Sequence, residues 1–136
     1  MITRRTCLSA LAAAAIVATT PATAAEVVVE VLGMQHWPVQ NALKPVRELI
    51  ASYGPALRVS DMDIESAEGV ARLRSIGMKG HIPIVILING VMQFKRADGS
   101  VVTFLNFPVA ANNPMGMNGA WSIDDFALAL KMATGR

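Results

Sequence analysis

The sequence predicts an α/β domain with the order β-α-β-α-β-β-α and one extra meander strand before the last helix. Three observations carry this prediction. β-branched runs alternate with segments of helical periodicity through the first half of the chain, the pattern of β-α-β units. Ile84 to Ile88 is apolar at every position, which suits a central strand covered on both faces. Two turn dipeptides, Asn89-Gly90 and Asp98-Gly99, follow that strand and point to a hairpin and a meander.

The elements follow in order. Val27 to Leu32 is a β-branched run interrupted by Glu30 and ended by Gly33. After a loop from Met34 to Trp37, Pro38 suits the first turn of a helix, where a missing N–H costs nothing. Val39, Ala42, Leu43, Val46, Leu49, Ile50 and Tyr53 recur at three and four residues and define one apolar face. Pro45 lies inside this helix and is expected to kink it; Gly54-Pro55 ends it. Leu57 to Ile64 alternates weakly and reads as a second strand. Ser66 is placed to cap a short helix through Ile76, with Val70, Leu73 and Ile76 inward and Arg72 and Arg74 outward. Gly77 and Gly80 break that helix ahead of the apolar strand. Val91 to Lys95 is expected to return against it, and Val101 to Asn106 to add the meander strand. Phe107 to Gly119, rich in Pro, Asn and Gly, reads as a loop. Ser122, with Asp124 and Asp125 in the first turn, opens a last helix that turns Ile123, Phe126, Ala127 and Leu130 inward.

The first 25 residues read as an export signal and residues 26–136 as one domain. Arg4 and Arg5 precede an apolar Ala-rich run from Leu8 to Ala18, and Ala22-Thr23-Ala24-Ala25 offers small-residue cleavage sites. The run is too short to span a membrane stably. Thr3-Arg4-Arg5-Thr6-Cys7-Leu8-Ser9 resembles a twin-arginine signal, with Cys7 where an aromatic is usual. The chain carries twelve Lys and Arg against ten Asp and Glu, so loss of Arg4 and Arg5 leaves ten of each. A neutral balance gives no electrostatic reason to bind nucleic acid or anionic lipid. The expected location is periplasmic or secreted, with no membrane span after leader removal.

Gly77-Met78-Lys79-Gly80-His81-Ile82-Pro83, followed by an apolar strand and Asn89-Gly90, resembles the cis-proline loop and hairpin of the thioredoxin superfamily. The resemblance covers nearly all of residues 26–136 and implies a thioredoxin-like three-layer sandwich. It departs from the family at two places. His81 is one residue more than the family's loop holds, and His36-Trp37-Pro38-Val39 stands where the Cys-x-x-Cys motif would be. The single cysteine, Cys7, falls in the leader. Thiol–disulfide exchange needs a thiolate, so oxidoreductase activity of that kind is excluded. The resemblance also implies that Pro83 is cis and that the backbone of Ile82 pairs with an extended peptide. Glu30 lies six residues before His36, matching the family's buried acid. The match makes Glu30 a buried acid beneath the His36 loop, within reach of His36; the alternative is the exposed face of its strand.

Two functions fit these residues. One is an exported binding or accessory protein that contacts a protein or peptide partner through His36, Trp37, Pro38, Ile82 and Pro83. The other is a periplasmic Cu(I) carrier or metallation factor, in which Met34, His36, Met78 and His81 meet at one end of the sheet. Thioethers and imidazoles suit Cu(I); methionine equally often fills core gaps. Seven of the eight methionines lie beyond the leader. Zinc is disfavoured because no cysteine or obvious carboxylate completes a tetrahedron. No nucleophile elbow, phosphate loop or convincing carboxylate pair marks an enzyme, and the one cofactor these residues point to is Cu(I).

Overall fold

A computed structural model describes residues 18–19 and 25–136. The twin-arginine motif, Cys7 and almost all of the proposed leader lie outside the described residues. Among the described residues, five strands and three α-helices follow one another as β1 (Val27–Gly33), α1 (Trp37–Ser52), β2 (Leu57–Asp63), α2 (Ala67–Ser75), β3 (Ile84–Ile88), β4 (Gln93–Lys95), β5 (Val101–Thr103) and α3 (Ile123–Thr134). The class is α/β, as the alternation of periodicities predicts. Strand β1 is central in a mixed sheet of order β2-β1-β3. It runs parallel to β2, with Val27 opposite Leu57, and antiparallel to β3, with Val31 opposite Ile86. All five residues of β3 are buried, consistent with cover on both faces.

Local chemistry explains the element ends. Pro38 lies in the first turn of α1, and Pro45 sits inside the helix without ending it. The buried stripe of α1 is Pro38, Val39, Ala42, Leu43, Val46 and Ile50, most of the face the periodicity marked. The Ser66 hydroxyl accepts from the Gly69 N–H at 3.0 Å and caps α2. Ser122 and Asp125 form a reciprocal capping box at the start of α3. At the hairpin, Asn89 and Gly90 take φ of 50° and 78°, as a two-residue turn of this hand requires. The Asn89 side chain also accepts from the Val28 N–H at 2.9 Å, while its own N–H donates to the Val28 carbonyl at 2.8 Å.

The strands beyond that turn differ from expectation. Val91 pairs with Ile88, but β4 then leaves the main sheet and pairs with β5 in a separate two-stranded sheet. Its place beside β3 is taken by Phe104 to Asn106. The Ile86 N–H donates to Phe104, the Asn106 N–H donates to Ile84, and Leu105 bridges Val85. An aromatic cluster accounts for the change. Phe104 lies 5.5 Å from Trp121 and 5.6 Å from Phe126, edge-on to both, and stacks on Phe94 at 6.3 Å. Burying these rings outweighs a longer β3–β4 ladder, since each removes well over 100 Å² from water. Trp121 is fully buried, and its indole N–H is shared between the carbonyls of Leu105 and Asn106, each at 3.2 Å.

Two expected orientations in α2 are also corrected. Val70 is 42% exposed rather than inward. The inward position belongs to Gly69, which packs so close to the Asp63 carbonyl that no side chain fits. Arg72 does not point to solvent. It folds back onto Glu30 in a bidentate pair with both bonds at 2.7 Å. Among the described residues, no helix is long and apolar enough to cross a membrane.

Candidate functional site

A cleft of about 590 Å³ opens beyond the carboxyl ends of β1 and β2, the end at which open α/β sheets usually take ligands. Its floor and walls include Met34 from the end of β1, Ile64 and Glu65 from the β2–α2 turn, and Val70 and Leu73 from α2. The segment from Gly77 to Ile82 forms the opposite rim. The volume falls within the roughly 300–1,000 Å³ of sites that enclose small ligands or buried side chains.

The two loops singled out in the sequence do meet here. The Met34 N–H donates to the Pro83 carbonyl at 3.0 Å, continuing the β1–β3 ladder one step past the strands. The peptide bond before Pro83 is trans, not cis as the family resemblance implies: no cis bond is present among the described residues. Gly77 and Gly80 turn the chain with φ of 75° and 104°, and His81 adds a residue of slack. The strand is therefore reached with the isomer that X-Pro bonds ordinarily favour by about 0.5–1 kcal/mol. Pro83 itself is buried, as is Pro38 in the first turn of α1, so neither ring is exposed for the partner contact expected from the sequence.

Lys79, Gly80, His81 and Ile82 make no hydrogen bond through their backbone to any described residue. Neighbouring groups are occupied: the Met78 N–H donates to Leu73, and the Pro83 carbonyl is held by Met34. A run of free donors and acceptors thus lies along one side of an apolar cleft. Facing it, the β1–α1 loop is braced. The Met34 carbonyl accepts from the Gln40 side chain at 2.7 Å, and Arg47 donates to Gln40 at 2.9 Å. Arg47 also holds Asp61 on β2 through bonds of 2.6 and 3.1 Å. Nothing in the hydrophobic periodicity marks this chain of polar side chains; only the spacing of Gln40 and Arg47 on one helical face hints at it.

His36 and Trp37 fall at this end of the sheet, whereas Glu30 lies midway along β1. His36 occupies the N-cap of α1, although its side chain makes no capping bond. Its Nε2 lies 3.8 Å from Glu65, a contact between two exposed groups that contributes little. Trp37 opens α1 and is 66% exposed, an unusual position for a large aromatic ring. Glu30 is bonded to Arg72 rather than to His36, because the long Arg72 side chain of α2 reaches the strand face that Glu30 presents. This pair raises the Arg72 pKa, chiefly through the Glu30 hydrogen bonds. Its structural effect is to fasten α2 to β1.

Met34, Met78 and His81 line the cleft, whereas His36 stands outside it across Glu65. Met34 is almost fully buried and serves the core as well as the cleft floor. Among the described residues, no three His, Cys, Asp or Glu side chains cluster as metal ligands. In comparisons with known proteins, the chain gives no significant match to a family model, a curated protein or a solved structure.

Proposed function

We propose that the protein is an exported, thioredoxin-like binding domain that captures an extended segment of a partner without thiol chemistry. The unpaired backbone of Lys79 to Ile82 beside the cleft carries this reading. An extended chain lying there gains backbone hydrogen bonds, as in β-strand addition, and places alternate side chains in the apolar cleft. The order β2-β1-β3 with helices α1, α2 and α3, and the meeting of the Met34 and Pro83 loops, support a thioredoxin-like arrangement. Ile82 offers both of its backbone groups, while the Pro83 carbonyl is already spent on Met34. Exposed Trp37 supplies a flat apolar contact at the neighbouring helix start.

The test is an NMR titration with a pool of acetylated, amidated hexapeptides. The amides of Lys79 to Ile82 are expected to shift and gain protection from exchange. Binding that leaves these amides unchanged removes the proposal. Trp37→Ala is expected to weaken binding without lowering thermal stability.

The shared lining of Met34, Met78 and His81 favours a second reading, a soft Cu(I) site in a carrier or metallation factor. Titration with Cu(I) against a competing chelator would then show one tight site, abolished by Met78→Leu or His81→Ala. A flat titration refutes it.

A further inference from the structure

We infer that the segment captured in the cleft is acidic as well as apolar, presenting an Asp or Glu carboxylate to Arg74 and Lys79. This rests on the strand-capture reading above and adds the chemistry of the occupant. The cleft lining holds two fixed cations, Arg74 and Lys79, against one anion, Glu65. Glu65 is turned toward His36 and approaches neither cation within ion-pair distance. Arg47, Arg58, Arg72 and Arg96 each have an acidic partner; Arg74 and Lys79, like Lys44, Lys95, Lys131 and Arg136, have none among the described residues, but of these six only Arg74 and Lys79 line the cleft.

A structural role does not account for both charges. A cation in the last turn of a helix offsets its negative end, and α2 carries Arg72 and Arg74 there. Lys79 lies beyond the helix, on the rim whose backbone groups are unpaired. The free N–H groups of Gly80, His81 and Ile82 add further donors to the same side. A carboxylate beside this rim meets two cations and several amide donors, and its neighbouring side chains meet Val70, Leu73 and Met78. A basic segment in the same place faces like charge and would be rejected.

The experiment is affinity selection on the purified protein with a positional-scanning library of acetylated hexapeptide amides. Enriched peptides are then compared with their Gln and Lys counterparts by fluorescence anisotropy. Asp or Glu is expected at one position. The double variant R74Q/K79Q should bind these peptides roughly threefold to tenfold more weakly, in the range of one or two partly exposed ion pairs. K131Q on α3 should leave binding unchanged, and thermal unfolding checks that both variants are folded. Raising the salt to 0.5 M should reproduce much of the loss through screening. Equal binding of the Gln counterparts, or an acidic preference that survives in R74Q/K79Q, overturns this inference and leaves strand capture standing. No enrichment at any position overturns both.

Discussion

Replacing Gly69 by Ala sets two effects of opposite sign against each other. Ala is favoured over Gly inside a helix by about 0.8–1 kcal/mol, so at an open position the change stabilises. Gly69 is not open. An added Cβ would press into the Asp63 carbonyl oxygen, 2.8 Å from the Ile64 Cα and 3.0 Å from the Asp63 carbonyl carbon. All three are backbone atoms, so no side chain can swing aside. The segment they belong to is fixed by the Ile64 N–H, which donates to Gly33 at 3.1 Å, and by the Ser66 hydroxyl, which donates to Asp63 at 2.6 Å. Moving α2 outward would loosen these bonds and the Arg72–Glu30 pair together. Overpacking against a rigid neighbour costs about 1–3 kcal/mol or more. With all three contacts on backbone the upper end applies, and after the propensity gain a net loss of about 2 kcal/mol remains, or roughly 8 °C in Tm for a domain of this size. Urea denaturation followed by circular dichroism measures it, with an unchanged m-value showing that the unfolded state is unaffected. Equal or greater stability of Gly69→Ala would refute the packing of α2 on the end of β2, and with it this wall of the cleft.

Other predictions follow from the same geometry. Asp125 is buried and accepts two bonds of 2.8 Å from Arg96, which holds its pKa at about 2. Because the folded value lies below that of the unfolded chain, its contribution of about 2 kcal/mol is present above pH 4 and lost as the pH falls toward 2. Asp125→Asn should be less stable at neutral pH and show a flatter acid limb in pH-dependent unfolding; an unaltered limb would contradict the pairing. Trp37 and Trp121 are the only tryptophans, one exposed and one buried. Trp37→Phe should therefore leave a blue-shifted emission that acrylamide hardly quenches, whereas a red-shifted, readily quenched signal would place Trp121 at the surface. Gln40→Ala removes the side chain that links Arg47 to the Met34 carbonyl. It should cost about 1 kcal/mol by chemical denaturation and speed amide exchange in the Met34–Trp37 loop; unchanged exchange there would show that the bracing is ineffective.

Much of the fold was legible because patterning and local chemistry agree. The Ser66 cap, the apolar run Ile84 to Ile88 and the Asn89-Gly90 turn each predict the observed element from neighbouring residues. Reading failed where distant contacts decide. A regular hairpin was the natural expectation for Val91 to Lys95, yet the buried positions of Phe104, Trp121 and Phe126 draw the later segment beside β3 instead. Val70 misled because Gly69, lacking a side chain, occupies the inward place that periodicity assigns to an apolar residue. At the site, the meeting of the Met34 and Pro83 loops was readable from the Gly-rich run and its proline. The trans bond was not, since the family resemblance implies the opposite isomer. Nor could charge count reveal that Arg72 is engaged with Glu30 while Arg74, two residues on, has no acidic partner among the described residues.

The central position of β1 has a consequence for synthesis. One flank is supplied by β2, thirty residues along the chain, as Val27 faces Leu57. The other awaits β3, and the side-chain bond from Asn89 back to Val28 spans 61 residues. Until that stretch has left the ribosome, the hydrophobic middle strand keeps one side uncovered, a template for association with other nascent chains. Truncation anywhere before Ile84 should therefore yield an insoluble fragment rather than a smaller working protein, and a holding chaperone has a definite interval in which to act.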